Sequence, residues 1–174
     1  PVGSGVALAL AERGDRVTVV TRSGTGPQHS AITLVAADAS SPDSLTNAAS
    51  GAASIFNCVN PPYHRWPQDW PPIHRALMTA AARTGAVLVM MDNLYAFGPG
   101  TTMPMAEAST PNATGPKGST RRTMAEELLT AHAAGTLRAT LARASDFYGP
   151  QVKGAALGER VVPRVIDGRS VSLL

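Results

Sequence analysis

The chain has one cysteine, Cys58, among 174 residues. An internal disulfide is therefore excluded, and a reducing, cytoplasmic setting is the simpler reading. Histidine is sparse too. The four residues at 29, 64, 74 and 132 form no HExxH pattern and no Cys–His cluster, so no metal site is expected. Charged residues make up only 16% and the net charge is +3, with arginines scattered along the chain. There is no basic stripe of the kind that binds nucleic acid. No apolar run approaches the roughly 18 residues that a membrane span needs. The start lacks the basic segment of a secretory signal, and Ala7 to Ala11 is too short an apolar stretch to serve as one.

What the sequence does have is an alternation of strand-like and helix-like segments, with 44% hydrophobic residues, enough for one domain with a core. Gly3 to Arg13 reads as a helix with Val6, Leu8, Ala9 and Leu10 as its apolar positions and Gly14 as its stop. VTVVT (17–21) and ITLVA (32–36) are short β-branched runs typical of buried parallel strands. SSPDSLTNAASG reads as a short helix with Ser41 as N-cap, Pro42 at the first helical position and Gly51 at the stop. SIFNCV (54–59) is a further strand. NPPYHRWPQDWPP carries too many prolines for one regular element, so the next helix is expected over 73–83, closed by Gly85. VLVMM (87–91) is a strand, and 92–116 is a long Gly- and Pro-bearing loop of a length that is often functional. A long helix over 117–134 turns Met124, Leu128 and Leu129 to the core. RATLAR (138–143) is a strand, and the tail ends in a strand-like SVSLL. Such alternation implies an α/β fold, a doubly wound parallel sheet with ligands at the carboxyl ends of its strands.

Gly3 and Gly5, opening the first helix, suit either a phosphate at the helix N-terminus or a plain turn. Four stretches favour the phosphate reading by resemblance. PVGSGVALAL, VVTRS, DNLYAFGP, and MAEELLTAH followed by LARASDFYGP resemble the extended and atypical short-chain dehydrogenase/reductases, the NAD-dependent epimerase/dehydratase family, over residues 1 to about 152 in the expected order. Gly3 matches the last glycine of the family's GxxGxxG turn. The resemblance implies a Rossmann-like domain over 1–174, with the first strand and most of the C-terminal substrate-binding part absent. In the order 3-2-1-4-5-6 the absent strand is central.

Residue by residue, the resemblance implies that Val2 and Gly3 border the dinucleotide. Arg22, after the VTVVT run, stands where an acid would hold a ribose 2′-hydroxyl, and an arginine favours the 2′-phosphate, so NADP(H) is expected over NAD(H). A solvated loop arginine is the alternative. Asp38 is implied at the adenine amino group or as the cap of its own turn. Asn60 and Pro61 would pass the cofactor's ribose and nicotinamide side, with Asn60 bonding a ribose hydroxyl or making an Asx turn. Cys58 reads as core filler. Asn93 aligns with the family's catalytic Ser/Thr and retains a donor but cannot relay a proton. Tyr95 is a neighbouring phenol, or a ring packed in the loop. Ser145 and Asp146 would line the substrate side.

The family's Tyr-x-x-x-Lys pair is missing. Tyrosine occurs only at 63, 95 and 148 and lysine only at 117 and 153, and the aligned positions hold Gly118 and Arg122. Arg122 is left to hold the nicotinamide ribose, without lending a proton. Restoring the pair by Gly118→Tyr with Arg122→Lys is expected to raise a weak activity. Two functions follow: an enzyme acting on a nucleotide sugar or a small carbonyl or hydroxyl substrate, with Asn93 or Tyr95 supplying the proton, or a non-catalytic NADP(H)-binding redox sensor. A small-molecule substrate is expected, with no nucleic acid and no membrane, and a homodimer is allowed.

Overall fold

The computed structural model describes residues 2–145, 147, 149, 152, 158 and 161–171. The elements run α1 (Val2–Glu12), β1 (Val17–Thr21), β2 (Ile32–Ala36), α2 (Pro42–Ala48), β3 (Ser54–Asn57), α3 (Trp66–Thr84), β4 (Val87–Asn93), α4 (Pro116–Ala133), β5 (Ala139–Ala144) and α5 (Val162–Ile166), with 3-10 turns at Tyr63–Arg65 and Leu94–Ala96. All strand pairings are parallel. β1 pairs with β2, in register Val17 to Ile32, and β3-β4-β5 form a second ladder, with Ser54 opposite Val87 and Leu88 opposite Ala139. Among the described residues no hydrogen bond joins β1 to β3. That break falls where the expected order 3-2-1-4-5-6 puts a strand between them. The expected Rossmann-like α/β fold is observed.

Local signals account for most element boundaries. The Ser41 side chain accepts from Ser44 N and Pro42 begins α2, a cap that satisfies one of the helix's orphan donors. Gly85 ends α3 at φ 72°, a left-handed conformation open to glycine with little strain. β4 alternates buried and half-buried positions along its whole length, as the central strand of its ladder. The main core lies between β4 and helices α2, α3 and α4: Leu45, Ala76, Leu77, Ala80, Leu88, Met90 and Leu128, with Val20 of β1 and Ile55 of β3 packed against it.

Several expectations are corrected. α3 begins at Trp66, not at residue 73, and carries Pro71 and Pro72 inside it. Each interior proline removes a backbone bond and costs about 3 kcal/mol or more. The offsetting term is the buried stripe Trp66, Trp70, His74, Leu77 and Ala81, spaced three or four apart. A tryptophan buries on the order of 150–250 Å², which at about 25 cal/mol per Å² contributes ~4–6 kcal/mol per ring. The paired indoles thus hold a helix that its prolines disfavour. β3 stops at Asn57, so Cys58 follows the strand instead of lying in it. On α4, Met124 and Leu128 are buried but Leu129 is exposed. The tail carries α5, while Ser170 and Val171 have no regular structure and 172–174 lie outside the described residues.

His74 is 1% exposed. Its Nε2 lies 3.3 Å from Glu127 Oε2, yet neither ring nitrogen is aligned for a hydrogen bond. Burial, then the cations of Arg121 and Arg75, hold its pKa down to about 4, so it is neutral at pH 7 and the Glu127 approach is not an ion pair.

Two outcomes are expected. The unfolded chain, with His74 near 6.5, takes up a proton that the folded chain refuses, so stability falls as pH drops from about 6.5 to about 4, by about 3 kcal/mol in all. Urea midpoints across that range should show this slope in the parent and a flatter one in His74→Gln; equal slopes would contradict the assignment. Separately, the chain of residues 1–174 expressed alone leaves one edge of β1 and one of β3 unpaired, and should aggregate or unfold broadly. Fusing an upstream β-strand should sharpen the calorimetric transition, and a sharp monomeric transition without it would refute this account.

Candidate functional site

The site is built at the carboxyl ends of β3, β4 and β5. Asp92, next to the end of β4, is 3% exposed and its carboxylate is divided between two arginines. Arg121 of α4 donates to Oδ1 through Nε at 3.1 Å and again through a terminal nitrogen, and Arg143 of β5 donates to Oδ2 at 2.8 Å. Arg121 also donates to Met91 O and lies over the rings of Trp70 (4.8 Å) and Trp66 (5.7 Å). Arg143 lies 5.1 Å from the ring centroid of Phe97. The result ties α4, β4 and β5 into one frame. Removing one member of such a buried pair leaves an uncompensated charge and costs about 3–5 kcal/mol.

Beside this frame α4 presses on the turn that follows β4. A Cβ on Gly118 would stand 2.6 Å from Ala113 Cβ and 2.7 Å from Tyr95 O. A phenol at 118 would meet the same two neighbours. A side chain there would have to displace Ala113 or the Tyr95 carbonyl, so the packing opposes the expectation that Gly118→Tyr with Arg122→Lys would raise a weak activity. The loop 97–115 folds back to make this contact. Asn112 Oδ1 accepts from Gly98 N (2.6 Å) and Thr101 Oγ1 (3.0 Å), its amide donates to Pro99 O, and Ala113 N donates to Ala96 O.

The predicted residues fall as follows. Asn93 caps the Leu94–Ala96 turn, its Oδ1 accepting from Tyr95 N at 3.0 Å. Tyr95 is 46% exposed and stacks edge-to-face with Trp66 (5.3 Å) and Tyr63 (5.6 Å). Arg122 is half-exposed, pairs with Glu126 at 3.8 Å, and its Nε is buried without a hydrogen bond among the described residues. Asn60 is exposed, while Pro61 is buried and its carbonyl accepts from Trp66 Nε1 at 3.1 Å. Ser145 is exposed just after β5, and Asp146 lies outside the described residues.

At the other end of the strand row, Val2 and Gly3 already belong to α1. A Cβ on Gly3 would sit 3.2 Å from Cys58 Cβ, so Gly3 lets α1 approach the chain leaving β3. Gly5 has open space around it and plays no such part. Burial raises the pKa of the Cys58 thiol, which keeps it protonated. Arg22 is exposed in the turn after β1. Asp38 Oδ1 accepts from Ser40 N and Oγ; these bonds, with the nearby Arg22 cation, hold its pKa below the ordinary carboxylate range. The turn-capping alternative for Asp38 is thus observed.

Sequence reasoning missed Asn57, Arg121 and Gly118's packing role. Asn57 is 2% exposed, sets its amide against Met90 Sδ and accepts from Val59 N; the Asx turn weighed for Asn60 is made here. An Asn inside an apolar strand run was the available signal.

The chain matches the NAD dependent epimerase/dehydratase family over residues 1–170. No curated protein sequence matches it. Among solved structures it is similar to the Bordetella bronchiseptica enzyme WbmH in complex with NAD+ (TM-score 0.78, 17% identity, 98% of this chain and 60% of that one). It is also similar to UDP-N-acetylglucosamine 4-epimerase from Methanobrevibacter ruminantium in complex with UDP-N-acetylmuramic acid (0.77, 16%, 98% and 61%). A third is UDP-glucose 4-epimerase from Brucella ovis in complex with NAD (0.67, 20%, 82% and 48%). The chain thus spans about half to three-fifths of the length of these proteins.

Gly118→Ala is expected to destabilise the fold by about 1–3 kcal/mol through overpacking, read as a lower denaturant midpoint. Gly5→Ala, in open space, should instead be neutral or stabilising by a few tenths to about 1 kcal/mol. Equal effects at the two positions would contradict the packing argument.

Proposed function

We propose that this chain, which belongs to the NAD-dependent epimerase/dehydratase family, binds a nicotinamide dinucleotide across the carboxyl ends of its strands and works without a phenol on α4. The observation that carries the cofactor reading is the Gly3 contact. It brings the N-terminal turn of α1 against the end of β3, the close helix–strand packing that the last glycine of a dinucleotide turn serves. The site residues that suit the cofactor are Val2 and Gly3 at that turn, Arg22 and Asp38 after β1 and β2, Asn60 and Pro61 after β3, and Arg122 on α4. The cofactor supplies hydride transfer; this chain's residues hold and orient it. Arg22 makes no ion pair among the described residues, with Asp38 and Asp69 acting on it at longer range; its exposed guanidinium after β1 supports NADP(H) over NAD(H).

Catalysis is the open half of the reading. With position 118 crowded by Ala113 and the Tyr95 carbonyl, a proton has to come from a neighbouring group such as Tyr95 or from the substrate. Asn93 spends its carbonyl oxygen on a cap, and an amide cannot relay a proton. The same crowding supports the second reading, a cofactor-binding redox sensor without turnover. Slow or absent turnover of nucleotide sugars and simple carbonyls is expected on either. Ser145 and Asp146 belong to the substrate side in the first.

The test is fluorescence titration of the protein with NADPH and NADH. A charge-assisted contact of Arg22 with the 2′-phosphate contributes about 1.5–3 kcal/mol, a preference of roughly ten- to a hundredfold for NADPH. Arg22→Asp should abolish or reverse it. Equal affinities in the parent would overturn the NADP(H) assignment, and no binding of either dinucleotide would overturn the cofactor reading itself.

A further inference from the structure

At the mouth of this site, four side chains from four elements meet. Tyr63 stacks edge-to-face on Trp66 with centroids 5.0 Å apart, and Tyr95 completes the triad with each of them. Lys117, one residue before Gly118, sets its Nζ 3.6 Å from the Tyr63 ring centroid. Tyr63 and Tyr95 each remain 46% exposed, while Trp66 is 4% exposed and anchors them from below. Lys117 is half-buried, and no carboxylate lies within ion-pair distance of it among the described residues.

The polar groups around this wall are largely committed to the protein. Asp92 is shared by Arg121 and Arg143, Asn93 Oδ1 caps a turn, Asn112 binds its own loop, and Trp66 Nε1 is bonded to Pro61 O. What the wall offers a ligand, besides the two phenol hydroxyls, is π surface and an ammonium. A hexose, with a hydroxyl on most carbons, needs a set of placed donors and acceptors. A conjugated ring or acyl group needs a stacking face instead, and an anion attached to it is drawn to a cation with no competing carboxylate.

We propose that this wall binds the planar, unsaturated end of a carbonyl substrate, with Lys117 taking its anionic group, a carboxylate or a phosphate. The substrate class is then an aromatic or conjugated carbonyl anion, not the hexose of a nucleotide sugar. This rests on the reading of the site as a nicotinamide-dependent one, and it goes beyond that reading by naming what lies against the nicotinamide side.

The experiment uses 2-naphthoate as the probe, titrated by calorimetry with and without saturating NADPH. Cyclohexanecarboxylate (anion without π surface), 2-naphthyl phosphate (the alternative anion), 2-naphthamide (π surface without charge) and UDP-glucose serve as comparators. Either naphthyl anion should bind about threefold to tenfold tighter than cyclohexanecarboxylate. Lys117→Met should weaken the naphthyl anions about tenfold or more while leaving 2-naphthamide within about twofold, and Lys117→Arg should retain binding. Tyr63→Leu should erase the advantage over cyclohexanecarboxylate, with Tyr63→Phe retaining it. The dinucleotide titration should be unchanged in all four variants, which also reports that they fold. UDP-glucose binding more tightly than both naphthyl anions, or naphthyl-anion binding indifferent to Tyr63→Leu and Lys117→Met, would overturn the proposal. Failure of the parent to bind NADPH counts against the cofactor reading alone, because the titrations without it still decide the wall.

Discussion

The carboxylate of Asp92 is the point on which the site's geometry depends. It lies among apolar strands where an isolated charge would be prohibitive, and it is tolerated because Arg121 and Arg143 approach it from opposite elements. The arginines in turn rest on aromatic rings, Arg121 on Trp70 and Trp66, Arg143 on Phe97, where a weakly hydrated guanidinium is at home. Because the donors come from α4 and β5 and the acceptor from β4, the relative placement of the three elements is set by a few directional bonds. Asn93, Tyr95 and the start of α4 inherit their positions from it.

The second constraint is contact between backbones. Gly118 lets α4 touch the Tyr95 carbonyl and Ala113, and Gly3 lets α1 touch Cys58. Both lie where helices converge on the carboxyl ends of the strands. At Gly3 the close approach joins α1 to the chain leaving β3. At Gly118 it leaves no open space, while the aromatic wall and Lys117 stand beside it. Crowding at one position and openness beside it are two sides of the same packing choice.

The prolines of α3 show how far burial overrides local preference. A reading by composition puts residues 60–72 in a loop, because proline in a helix interior removes bonds that nothing local replaces. The helix forms because Trp66, Trp70 and His74 share a face and α4 offers Met124 to cover it. That partner is distant in sequence, so no window of neighbouring residues reveals it.

Much of this molecule was legible in order along the chain. VTVVT and ITLVA appear as β1 and β2 with their predicted ends, Ser41 and Pro42 start α2, and Gly85 stops α3, because strand runs, caps and left-handed stops are decided by a residue and its near neighbours. The family, too, could be read from four short stretches. Tertiary structure alone decided which of two adjacent arginines is buried, Arg121 and not Arg122, since that depends on where Asp92 lies across the interface. It likewise chose Asn57 over Asn60 for the Asx turn and left Leu129 exposed. It also set Gly118 against Ala113 and the Tyr95 carbonyl. Each of these is a contact between residues far apart in sequence, and its energy belongs to a pair that exists only once the chain has folded.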